Sequence, residues 1–275
     1  MRPAVENGFP CHILSLDVAV LNAGRYGCRM DLSGRTALVT GASSGIGLAT
    51  ARALARRHVS VLATGLDSPE LAALQGSAGV RVLAADLGRD EEIERLLAWA
   101  GPVDLLVNNA GFGWYGPLSG MDPGRTGDLL RINLAVPLRL TAALMPGMIE
   151  RGRGHIVNVA SIAGHIGVPH EAVYSASKSG LITFSNSARA ELAGTGVGLT
   201  LVVPAAVDTP FFAREGRPYD RRVPRLVSPD RVAQRLVAAV ERGTPEVFVP
   251  RWIAFPVRFH GGLPRLFERL ARRSW

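Results

Sequence analysis

Thr36-Ala37-Leu38-Val39-Thr40-Gly41-Ala42-Ser43-Ser44-Gly45-Ile46-Gly47 runs from a short apolar stretch into a glycine-rich turn, and the helical pattern Leu48 to Arg57 follows at once. Glycines so placed permit a tight turn, let the backbone approach a pyrophosphate, and let the next helix pack closely on the strand before it. The start of a helix adds N–H groups without partners and the positive end of the helix dipole, which together attract an anion. A glycine-rich turn alone is a weak signal, but a strand before it and a helix after it are the context a dinucleotide site demands. Gly41, Ser43, Ser44, Gly45, Ile46 and Gly47 therefore read as a phosphate cradle.

Outward from this turn, short apolar stretches alternate with amphipathic helical ones, the pattern of βαβ units wound onto a parallel sheet. Strands are predicted at Thr36 to Thr40, Val59 to Thr64, Val80 to Ala84, Val103 to Asn108, Gly154 to Val159, Leu199 to Val203 and Val247 to Val249. Their Val, Leu and Ile content, with little alternation, fits strands buried on both faces. The expected fold is α/β, a doubly wound seven-stranded parallel sheet in a three-layer αβα sandwich. One catalytic domain is expected over residues 31–250. The stretch Pro204 to Pro229 is long beside the usual connection of about 4 to 6 residues, which predicts a lid over a substrate.

Composition narrows the class. The chain has 275 residues, 47% hydrophobic and 20% charged, enough for one large core. No apolar run reaches the roughly 20 residues that span a bilayer, so a soluble, cytoplasmic protein is expected. The formal charge of +8 comes from scattered arginines, except at the C-terminal end, where Arg251, Arg258, Arg265, Arg269, Arg272 and Arg273 face only Glu268. No basic stripe interleaved with stacking aromatics occurs elsewhere, which argues against nucleic acid as a partner. Cys11 and Cys28 both lie outside the periodic segments, so thiol chemistry is not expected. His155, His165 and His170 lack metal-ligand spacing, and no metal is predicted. Residues 1–29 are too weakly apolar for a signal peptide. With Met30 opening Met-Asp-Leu-Ser-Gly-Arg, they read as a disordered extension or as an artefact of start-site assignment.

Lys178 is the one lysine among 31 basic residues, and it follows Tyr174 by four positions. Lysine retained against an arginine background points to a need for a compact ammonium rather than a flat guanidinium fork. Four residues apart on a helix, the two side chains share a face. A tyrosine with its ordinary pKa near 10 is a poor base at neutral pH, and a nearby ammonium is expected to favour its phenolate. Ser161, at a strand end, can hydrogen-bond a substrate oxygen as charge develops there.

With the glycine pattern, Asn108-Asn109-Ala110-Gly111, Ser161 and Tyr174-Ser175-Ala176-Ser177-Lys178 in this order, the chain resembles the short-chain dehydrogenase/reductase family over residues 31–250. The resemblance implies a Rossmann-type fold and an NAD(P)-dependent oxidoreductase moving hydride between nicotinamide and a carbonyl or secondary alcohol. It also implies Tyr174 as proton donor or acceptor, Lys178 holding the nicotinamide ribose, Ser161 orienting the carbonyl and Asn133, in Arg131-Ile132-Asn133-Leu134, completing the catalytic set. Asp86 and Leu87 would lie near the adenine. Asn109, Ala110 and Gly111 would shape the cofactor floor, and Pro204, Val207 and Thr209 would close over the nicotinamide.

Some positions depart from the family. Gly65 stands where NAD-preferring relatives usually place aspartate, and Leu66 where NADP-preferring relatives usually place arginine. With no acid at the strand end, and with Ser43 and Ser44 available to a 2′-phosphate, NADP(H) is preferred over NAD(H). Asp67 reads as the cap of the helix starting near Pro69 rather than as a ribose ligand. Residues 251–275 form a basic amphipathic tail with Trp252, Phe255, Phe259, Leu263, Leu266, Phe267 and Leu270. It could dock on a membrane surface, widen a lipophilic pocket, form a dimer contact or pack on its own domain. A pocket wall from Phe112, Trp114, Tyr115, Ile166, Val168 and the 204–229 loop suggests a lipophilic small-molecule substrate. A homodimer or higher homo-oligomer is expected. The alternatives are a 3-oxoacyl-[acyl-carrier-protein] reductase and a dinucleotide-sensing protein without turnover.

Overall fold

The computed structural model describes residues 28–216, 219 and 223–263. Most of the expected N-terminal extension, and the tail beyond Leu263, lie outside the described residues. Seven parallel strands form one sheet: β1 (Thr36–Val39), β2 (Ser60–Gly65), β3 (Val80–Ala84), β4 (Leu105–Asn108), β5 (Gly154–Val159), β6 (Val197–Pro204) and β7 (Glu246–Val249). Their order across the sheet is β3-β2-β1-β4-β5-β6-β7. The direction of winding reverses between β1 and β4, and a crevice opens at such a switch point beyond the carboxyl ends of the strands.

Alternation within the strands builds the layers, because successive side chains point to opposite faces. Ala37, Val39, Val61, Ala63, Leu105 and Val107 enter one core with α1 (Gly45–Ala55) and residues of a helix near the C-terminal end. Leu38, Leu62 and Leu106 enter the other, with Ile93, Leu96 and Leu140 from the helices on the opposite face. The helices between β2 and β5 are α2 (Pro69–Leu74), α3 (Asp90–Ala100), α4 (Pro123–Leu130) and α5 (Val136–Glu150). Those after β5 are α6 (Ala163–Ile166), α7 (Ala172–Glu191), α8 (Phe211–Arg214), α9 (Pro229–Arg242) and α10 (Ala254–Gly262). Each fully buried Leu in these cores contributes about 1.5–3 kcal/mol by leaving water. The ends of α9 follow from sequence: the Ser228 hydroxyl accepts from the Arg231 N–H, Pro229 sits in the first turn, and Gly243 adopts φ 65° at the C-cap.

The structure corrects several sequence expectations. Strand β4 starts at Leu105 rather than Val103, and β6 runs from Val197 to Pro204 rather than from Leu199 to Val203. Asp67 is not the cap of α2. Ser68 takes that place in extended conformation and accepts from the Leu71 N–H at 3.1 Å. The 204–229 connection is no bare loop: it contains α8, and its base is pinned where Val207 bridges Val227. Pro123–Glu150 forms one 28-residue helical run that by length and composition alone could cross a membrane, although Arg125, Asp128, Arg131 and Arg139 interrupt it. Its middle turns, Arg131–Ala135, widen into a π-helix carrying the fully buried Asn133, and α5 packs on β4 and β5, so within this fold it is a core-side helix. The described part of the tail packs against α6 of its own domain.

Candidate active site

A cleft of about 1330 Å³ lies over the carboxyl ends of the strands and reaches from the glycine turn to α10. Its floor begins at that turn. Gly41 has φ 65°, and a Cβ there would stand 2.8 Å from the Ala110 Cα. A Cβ on Gly45 would stand 2.8 Å from Thr209 Cγ2, and one on Gly47 only 2.2 Å from the Gly41 carbonyl oxygen. Backbone has therefore come as close to backbone as these residues allow. The Ser44 N-cap makes no side-chain capping bond to α1, which leaves the helix start available to an anion. This close-packed, uncapped turn fits a dinucleotide's phosphates.

The turn after β4 braces it. Thr40 Oγ1 accepts from the Asn109 and Ala110 N–H groups, both at 3.0 Å, and Asn109 Nδ2 donates to the Thr40 and Gly41 carbonyls at 2.9 and 3.3 Å. Behind it, Asn108 Nδ2 donates to Asn158 Oδ1 at 2.9 Å, and Asn158 Nδ2 donates to Ser185 Oγ at 2.8 Å. These buried bonds tie β4 and β5 to α7 and so fix the helix that carries Tyr174 and Lys178.

Tyr174 and Lys178 are both buried on α7. Lys178 Nζ donates to the Val159 carbonyl at 3.0 Å and lies 5.8 Å from the Tyr174 ring centroid. Gly164 lets α6 lie directly on α7, since a Cβ there would stand 2.7 Å from the Lys178 carbonyl carbon. That contact brings Ser161 to Tyr174. Burial pushes the Tyr174 phenol up, a hydrogen bond with Ser161 opposes this, and the Glu171 and Glu215 carboxylates add to the rise. Burial pushes Lys178 down to about 8. The expected lowering of the phenol by the ammonium is thus outweighed by desolvation in the chain itself, and Tyr174 holds its proton at neutral pH.

Because the folded Lys178 has the lower pKa, its ammonium destabilises the fold fully below about pH 8, and that cost is relieved as pH rises towards the free value of 10.5. The cost is on the order of 3 kcal/mol near neutral pH. Lys178→Met should therefore keep or raise Tm at pH 7 while losing turnover; a clear fall in Tm would show that the Val159 bond outweighs the buried charge.

Gly41, Ser43, Ser44, Gly45, Ile46, Asp86, Leu87, Asn109, Ala110, Gly111, Ser161, Tyr174, Lys178, Pro204, Val207 and Thr209 all line the cleft. Gly47 and Asn133 do not. Gly47 faces the Gly41 carbonyl instead, and Asn133 points inward: its Oδ1 accepts from the Phe112 N–H at 3.0 Å, and its Nδ2 donates to the Phe112 carbonyl at 2.8 Å and to Ser177 Oγ at 3.2 Å. Trp114 is absent from the wall as well. Its ring packs over Gly116, in a small core with Met121 and Leu129. Phe211, Phe212, Arg214 and Glu215 of the 204–229 segment line the cleft as expected of a lid, and Arg125 of α4 joins them without a sequence signal. The Phe211 ring lies 5.5 Å from that of Tyr174, so the lid covers the phenol. Buried His155 bonds Thr200 Oγ1 at 2.8 Å, and burial lowers its pKa to about 4. Among the described residues no cluster of His, Cys, Asp and Glu could hold a metal ion.

The proteins similar to this chain are, as a class, oxidoreductases, and several are solved with a nicotinamide dinucleotide bound. Residues 35–220 match the short chain dehydrogenase family, and the chain belongs to it. It is 37% identical over 232 residues to ketoacyl reductase HetN of Nostoc sp., covering 79% of each chain. Its fold matches a short-chain dehydrogenase from Sphingobium yanoikuyae in complex with NADPH at TM-score 0.74 and 28% identity, over 84% of this chain and 95% of that one. It also matches a short chain dehydrogenase/reductase from Burkholderia phymatum in complex with NAD at TM-score 0.78 and 25% identity, over 86% and 96% of the two chains.

Proposed function

We propose that the protein interconverts a carbonyl and a secondary alcohol on a lipophilic substrate, with NADP(H) preferred over NAD(H). The observation that carries this reading is the meeting of Ser161, Tyr174 and Lys178 in a cleft that Phe211, Phe212, Trp252, Phe255 and Phe259 also line. The glycine turn, Asp86 and the Asn109 to Gly111 segment would hold the dinucleotide, which when bound supplies or accepts hydride. Ser161 and Tyr174 would hold the substrate oxygen, and Tyr174 would exchange its proton with that oxygen. Lys178 would hold the nicotinamide ribose. Asn133 is a positioning residue: by fixing Phe112 and Ser177 it sets the floor beside Gly111 and the turn of α7 that bears Tyr174. Support for NADP(H) is that the last residue of β2 is Gly65 and the next, Leu66, is 61% exposed, so the first carboxylate, Asp67, lines the cleft only two residues past the strand.

A ketone series of increasing chain length tests the substrate class. Catalytic efficiency, kcat/KM, should rise about 2- to 4-fold per methylene until the cleft is filled; indifference to chain length would remove the lipophilic reading. The likeness to a ketoacyl reductase favours a second, narrower reading, in which the substrate is a 3-oxoacyl thioester. Faster turnover of such a thioester than of a plain ketone of equal length would select it.

A further inference from the structure

The end of β2 is where this fold ordinarily distinguishes the two dinucleotides, by a carboxylate for the ribose 2′-hydroxyl or an arginine for the 2′-phosphate. Here the last residue of the strand offers neither: Gly65 packs against Ser43, with an added Cβ only 3.0 Å from Ser43 Oγ, the next residue is the exposed Leu66, and the first carboxylate on the cleft wall is that of Asp67, two residues past the strand. A dianionic phosphate left without a cation would bind weakly. Among the described residues the cationic side chains lining the cleft are Arg125, Lys178 and Arg214. Lys178 is buried against β5 and bonded to the Val159 carbonyl, and Arg125 stands on α4. Of these three, Arg214 reaches the glycine turn. From α8 in the lid it donates through Nη1 to Ser44 Oγ at 3.3 Å. Ser44 follows Ser43, the residue of the turn that Gly65 touches. The lid is held over the turn by a second contact, the close approach of Thr209 to Gly45.

From this placement we infer that Arg214, carried by the lid rather than by strand β2, is the cation that recognises the 2′-phosphate of NADP(H), with Ser44 as its partner on the turn. The inference rests on the NADP(H) reading above and supplies what the β2 end lacks. Guanidinium suits the task because its fork can give two parallel N–H donors to phosphate oxygens. It also follows that cofactor choice is linked to lid position, because the discriminating group and Phe211, which covers Tyr174, share the four-residue helix Phe211–Arg214.

Equilibrium titration of NADPH and NADH, followed by reduced-nicotinamide fluorescence, tests this on wild type, Arg214→Gln and Arg214→Lys, with 2′,5′-ADP and 5′-AMP as competitors. Arg214→Gln should weaken NADPH and 2′,5′-ADP by about 10-fold or more, the loss expected when a charged hydrogen bond goes. NADH and 5′-AMP should change little, and Arg214→Lys should recover part of the NADPH loss. An unchanged Tm without nucleotide would show that the variant folds. Unchanged NADPH affinity in Arg214→Gln, or an equal loss for NADH, would overturn the assignment. Failure of the wild type to bind either nucleotide would instead remove the dinucleotide reading, and this inference with it.

Discussion

Tyr174→Phe is expected to lower turnover by about 10²- to 10⁴-fold, the usual contribution of a placed proton donor, while leaving nucleotide affinity nearly unchanged. The substitution removes one oxygen from a ring that otherwise keeps its place between Lys178 and Phe211. Packing survives and the proton does not. The same assignment fixes a pH dependence. Burial raises the phenol, so the protonated form that carbonyl reduction needs persists into the alkaline range, and reduction should slow above about pH 8 only as the Lys178 ammonium loses its proton. Alcohol oxidation needs the phenolate and should rise with pH through the alkaline range. Steady-state rates in both directions, measured across pH, would check this; parallel profiles in the two directions would speak against Tyr174 as the group that exchanges the proton.

Gly47→Ala should be nearly as damaging, although Gly47 does not line the cleft. Its new Cβ would sit 2.2 Å from the Gly41 carbonyl oxygen and 2.5 Å from Asn109 Nδ2. Neither neighbour can turn away cheaply, because one is backbone and the other is bonded to Thr40 and Gly41. Relief must come from α1 moving off β1, at about 1–3 kcal/mol or more, and the phosphate cradle opens as it moves. Lower Tm and loss of NADPH binding are expected together. Gly34→Ala provides the contrast. Its φ is 66°, yet nothing lies within 4 Å of the added methyl, so backbone strain of about 1–2 kcal/mol should lower Tm with binding intact. Normal nucleotide affinity in Gly47→Ala would mean that the turn does not need this close contact.

The sheet was legible because strands buried on both faces are written as continuous Val, Leu and Ile runs, and those runs differ plainly from the amphipathic helices between them. The glycine turn and the Tyr174–Lys178 pair were legible because each is local, set by spacing along one turn or one helix. What escaped depends on approach across the fold. The sequence marks Gly47 as part of a cradle, but only the folded chain shows it pressed on Gly41 rather than open to the cleft. Asn133 looked like part of the reacting set, yet a widened helical turn aims it at Phe112 and Ser177. Trp114 is flanked by Gly113 and Tyr115, which do line the cleft, and Gly116 gives its ring room to turn away. Ser68 took the cap expected of Asp67 because either residue type can accept the N–H bond and the backbone decides which is placed to do so. Arg214 carried no signal, being one arginine among thirty, until the lid brought it to Ser44.

The most direct test follows the hydride itself. NADPH deuterated at both transferable positions of the nicotinamide ring would be incubated with the protein and a long-chain ketone, and the product alcohol weighed by mass spectrometry. Deuterium in the alcohol with wild-type protein, and almost none with Tyr174→Phe over the same time, is the predicted result. An alcohol formed without deuterium, or formed equally well by Tyr174→Phe, would contradict a cleft built around Ser161, Tyr174 and Lys178 for hydride transfer.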